Sequence, residues 1–101
     1  MEDLIAKLEA ADGPSDDLDV ALSKQFGVGL YTHFLDDALL LVPERYEHDW
    51  SVTAAGSGTN GATIGPTFGG WHADFKGATP ALALCIAALK ARQAIAAENA
   101  A

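Results

Sequence analysis

Apolar residues recur at helical spacing through the first half of the chain and alternate with polar ones after Asp49. Leu4, Ile5, Leu8 and Ala11 form a stripe with Glu2, Asp3, Lys7 and Glu9 around it, and Gly13-Pro14 follows, which predicts a short first helix. Ser15 is a suitable N-cap for a second. Asp16, Asp17 and Asp19 place negative charge in its first turn, and Leu18, Ala21, Leu22 and Phe26 make its stripe before Gly27 and Gly29 stop it. Thr32 is expected to cap a third helix with Leu35, Ala38, Leu39 and Val42 on one face and Asp36-Asp37 on the other, ending before Pro43. Trp50, Val52 and Ala54, then Trp71, Ala73 and Phe75, alternate with polar neighbours and predict two half-buried strands. The Gly-rich stretch from Gly56 to Gly70 between them reads as a long loop, or a loop around one short extra strand.

Thr79-Pro80 opens an Ala-rich helix running towards Glu98, since the hydroxyl can cap and the proline ring suits the first helical position. At 100° per residue, Leu82, Cys85, Ile86 and Leu89 cluster on one side of it, and Leu84, Ala88, Ala91 and Ile95 fall opposite. A helix apolar on both faces is either central in the core or sandwiched between the core and a partner subunit, so self-association through this helix is expected. The pattern as a whole predicts one α+β domain over residues 1–101. It would be a small layered α-β-α fold with short N-terminal helices, a compact antiparallel sheet and the long C-terminal helix.

Composition narrows the function. With 101 residues, half of them apolar, the chain can build one core. Cys85 is its sole cysteine, so no intrachain disulfide can form, and with neither a basic leader nor an uninterrupted apolar span the expected location is the cytoplasm. The net charge is −8. Residues 1–49 hold twelve of the fourteen acids and three of the six bases, so the acidity belongs to that half. Duplex nucleic acid is thereby excluded as a partner, whereas a small anion could bind through the second half.

Most candidate chemistry dissolves on inspection. Gly56-Ser57-Gly58-Thr59-Asn60-Gly61 matches the dinucleotide glycine pattern and follows a predicted strand, but no helix opens behind it. His33, His48, His72 and Cys85 share no metal-ligand spacing, so they read as scattered surface histidines and a buried thiol, with no metal or cofactor expected. Asp16-Asp17-Asp19 and Asp36-Asp37 read most simply as helix-start charge and a solvated face, with a cation site as the minor alternative. No nucleophile or acid/base pair can be assembled, which points away from an enzyme. What remains is the start of the last helix, whose free N–H groups after Thr79 suit an anion, with Lys90 and Arg92 further along it and Trp71, His72 and Phe68 as stacking faces.

Three stretches carry a resemblance: residues 4–14, residues 31–44 and residues 78–92, the last reading ATPALALCIAALKAR. Together they resemble the phage ABA sandwich domain family, which implies a layered α-β-α domain. More remotely, the succession of short helices, compact sheet and Ala-rich last helix is similar to the phage sponges that counter the Thoeris defence. Those are non-enzymatic oligomers that sequester cyclic ADP-ribose-type signals, and some hold cyclic oligonucleotides. The resemblance implies that Lys90 and Arg92 hold phosphates and that an aromatic residue stacks on a base, although Ile86 stands where the sponge pattern favours an arginine. The expected function is therefore sequestration of a nucleotide-derived immune signal in the infected host's cytoplasm, by a homo-oligomer using Lys90, Arg92, Thr79, Trp71, His72 and Arg45. The alternative is an acidic adaptor or inhibitor that meets a basic host protein through helices 1 to 3.

Overall fold

The computed structural model describes residues 2–44, 50–54, 60–64, 73–77 and 79–100, with side chains for 2–44, 62 and 79–97. Helix α1 (Glu2–Ala10) buries Ile5 and Leu8 from its stripe. Helix α2 (Asp16–Phe26) starts at Ser15, whose hydroxyl accepts the Leu18 N–H at 3.3 Å. It stops at Gly27, where φ is 100°, a backbone region that favours glycine, and the Gly27 N–H closes the last turn on the Ser23 carbonyl.

The third helix is shorter than expected. Helix α3 spans only Leu35–Ala38 and tightens into a 3₁₀ turn at Leu39–Leu41, and Phe34 holds its N-cap position without a side-chain bond. Thr32 does not cap it. Both the N–H and the hydroxyl of Thr32 donate to Asp19, which fixes residues 31–33 as a turn and delays the helix.

Helix α4 (Pro80–Ala100) begins where Thr79-Pro80 predicted, with the Thr79 hydroxyl accepting the Leu82 N–H at 3.1 Å. Ala81 is 6% exposed and Leu82 through Leu89 are completely buried. Helix α1, helix α3 and the 3₁₀ turn pack against it. So do three short strands described by their backbone, β1 (Trp50–Ala54), β2 (Asn60–Ile64) and β3 (Ala73–Gly77), which pair antiparallel in the order β1-β2-β3. Trp50 stands opposite Ile64, and Ile64 opposite Ala73.

The α+β expectation is corrected by this arrangement. Among residues 2–44 and 79–97, 73% are helical, in four helices, and they build no sheet. The middle of the domain is a helix, not a sheet. Helix α4 fills the position that an α-β-α stack would give to strands, because a rod apolar all round can be covered by helices and strands at once. Of the two explanations open for its double apolar face, burial within one chain is sufficient. By length and composition Pro80–Ala97 is also apolar enough to cross a membrane, a property shared by core helices of this kind.

Candidate functional site

Two features gather on the α2–α3 side of the molecule. The first is polar and built around Asp19, a carboxylate only 3% exposed. Its Oδ1 accepts the Thr32 N–H at 2.7 Å and the Thr32 hydroxyl at 2.8 Å, and its Oδ2 lies 2.5 Å from His33 Nδ1. Ser15 completes the arrangement, its N–H donating to Thr32 Oγ1 at 2.9 Å. On the other side of the imidazole, His33 Nε2 is 3.3 Å from Oδ1 of Asp16, whose side chain is open to water. Donor atoms of Asp16, Asp19 and His33 all fall within 4.8 Å of one another. A buried carboxylate is tolerated here because each of its oxygens has a partner.

The second feature is apolar. Val20 is 54% exposed, Val28 97% and Leu30 47%, and the three line a groove of about 490 Å³ with Asp16, Asp19, Ser23, Gly29 and Asp37. Phe34, Leu35 and Leu40 are exposed on the segment that follows. Asp37 fixes the wall of the groove by accepting the Leu30 N–H at 2.9 Å. Beneath it Tyr31 is buried, its hydroxyl donating to the Gly27 carbonyl, and burial, with Asp37 and Cys85 nearby, pushes its phenol above the ordinary range. Gly29 is required by this packing, since a Cβ there would stand 2.9 Å from the Tyr31 ring.

The residues expected to hold an anion are spread apart. Thr79 caps α4 and shares a groove of about 260 Å³ with Pro14, Thr32, His33, Leu35, Pro80 and Ala81. Lys90 stands eleven residues further on, about 16 Å along the helix axis at the usual rise, where it pairs with Glu9 of α1 at 3.4 Å. Arg92 turns another way, donating from Nε to the Leu41 carbonyl at 2.7 Å with its guanidinium 4.9 Å from the centre of the Phe26 ring. Burial pulls the Arg92 guanidinium below its ordinary value, and the Tyr31 phenol acts in the opposite sense. Trp71, His72, Arg45 and Phe68 lie outside the described residues.

The sequence grouped none of Asp19, Thr32 and His33, and read Asp19 as helix-start charge and His33 as a scattered surface residue. One local signal was present: on a helical wheel Asp19 falls about 20° from Phe26, at the edge of the buried arc. Val20, Val28 and Leu30 lie off every stripe, and an apolar residue between two stop glycines was the sign of exposure. Comparison with protein families, with characterised proteins and with solved structures finds no match, and so bears on the phage-domain resemblance in neither direction.

Proposed function

We propose that this domain is a protein-binding module that docks a basic surface carrying an apolar side chain into the Val20–Val28–Leu30 groove. The observation that carries it is six large apolar residues left exposed between Val20 and Leu40, with Asp36 and Asp37 inside that stretch and Asp16 and Asp17 just before it. Exposed apolar residues gathered in one region and flanked by charge mark interaction surfaces, and opposite charge on the partner would give specificity and speed. A second copy is a poor occupant, because two such acidic faces repel.

The test is capture from cell lysate by wild type, by Asp17→Lys/Asp36→Lys and by Val28→Asp. Support requires a retained protein of positive net charge whose binding falls with salt and is lost in both variants. Equal capture by all three forms would overturn the proposal.

Sequestration of a nucleotide-derived signal is the second reading. It is supported by the groove that joins the start of α4 to His33. It ranks lower because that groove is smaller than the roughly 300–1,000 Å³ usual for drug-sized ligands, and because Lys90 and Arg92 turn to Glu9 and Leu41. Calorimetry with cyclic ADP-ribose isomers and cyclic oligonucleotides tests it, and a complete absence of heat would sink it.

A further inference from the structure

The geometry around His33 points to a site for a divalent cation of the zinc class, held by His33 Nε2 and the Asp16 carboxylate. Asp19 is immobilised from behind by the Thr32 N–H and hydroxyl on Oδ1, so its Oδ2 meets His33 Nδ1 from a fixed position. A neutral imidazole whose Nδ1–H donates to a carboxylate carries its lone pair on Nε2, and metal-binding histidines are commonly oriented in this way. In that tautomer Nε2 is the metal-ligating atom, and Asp16 Oδ1 lies 3.3 Å from it.

A cation can bridge Nε2 and the Asp16 carboxylate there, since donor atoms of Asp16, Asp19 and His33 lie within 4.8 Å of one another. Ligand bonds of about 2.0–2.1 Å meeting at the tetrahedral angle hold their donor atoms roughly 3.3–3.4 Å apart, and 3.3 Å is the separation found. The Asp16 side chain is 91% exposed, which leaves the remaining coordination positions to water. The surrounding half of the chain, with twelve acids against three bases, concentrates cations near it. One imidazole and one carboxylate suit a first-row divalent ion better than calcium or magnesium, which prefer oxygen alone. Asp19 is then a positioning residue rather than a ligand.

Titration of the full chain with Zn²⁺ by calorimetry, and with Co²⁺ by visible absorption, tests the assignment. One ion should bind per chain. His33→Gln and Asp16→Asn should each abolish saturable binding, Asp19→Asn should weaken it about 10- to 100-fold, and His48→Gln and His72→Gln should leave it unchanged. Helical circular dichroism separates loss of the site from loss of the fold, and His33 and Asp16 are exposed enough for their variants to fold. Binding weaker than about 1 mM, or binding that survives His33→Gln, overturns the assignment.

Discussion

The stretch from Ala81 to Leu89 and the stretch from Val20 to Leu40 are both rich in large apolar residues, yet the domain treats them in opposite ways. In the first, no side chain is more than 6% exposed. In the second, Leu22, Tyr31 and Ala38 go inside while Val20, Val28, Leu30, Phe34 and Leu40 stay in water. Helix α4 is closed because neighbours approach it from several elements, whereas the α2–α3 segment lies at the edge of the fold, where the described elements leave these side chains uncovered. Position in the topology, more than hydrophobicity itself, decides which apolar surface remains for another molecule.

Breaking the closed side should have the largest effect. Leu89→Ala removes a fully buried side chain from the middle of the core, and urea denaturation should show a loss of about 2–5 kcal/mol. The next test uses Cys85, whose thiol donates to the Tyr31 carbonyl and is pushed up to about 12 by burial, with Asp19 adding to the shift. The unfolded thiol ionises near its ordinary value of 9.0 while the folded one keeps its proton, so the folded state binds more protons between the two values. The contribution of Cys85 to stability is therefore fully present below pH 9 and is lost as pH rises towards 12. Melting curves across that range should decline less steeply in Cys85→Ala, and native Cys85 should resist thiol reagents at neutral pH.

Effects shrink towards the rim. Arg92→Ala leaves the Leu41 carbonyl without its donor and removes the cation from the Phe26 ring, a loss of about 1–2 kcal/mol in the same denaturation assay. Lys90→Ala breaks an exposed pair and should cost less than about 1 kcal/mol. On the open side, Val28→Ser should leave stability within about 0.5 kcal/mol of wild type while impairing partner capture. A large loss of stability in Val28→Ser would mean that the two regions are not distinct.

How far the sequence carried this picture depended on the range of the interaction. Ser15, Gly27 and Thr79-Pro80 act within a few residues of themselves, and the helix ends fall where those residues placed them. Thr32 carried the same local signal as Ser15, yet its partner proved to be Asp19, thirteen residues away, so a cap became a turn. The Asp16–Asp19–His33 cluster was illegible for a related reason: its members have meaning only once α2 and the turn at 31–33 are side by side. The layering was misread because alternation drew attention to strands, while a helix with two apolar faces is the element that needs covering on all sides. Of the expected binding residues, Thr79 keeps its capping role, and Lys90 and Arg92 are bonded to different elements.

Val28 sits between Gly27, whose φ of 100° deters any side chain, and Gly29, where the Tyr31 ring leaves no room for one. The turn is pinned on both sides, since the Ser23 hydroxyl bonds the N–H and carbonyl of Gly29 and the Tyr31 hydroxyl donates to the Gly27 carbonyl, and valine itself has few rotamers to lose. A partner that closes over Val28 would freeze almost no motion in doing so, and most of the apolar area it covers would appear as affinity rather than being offset by lost conformational entropy.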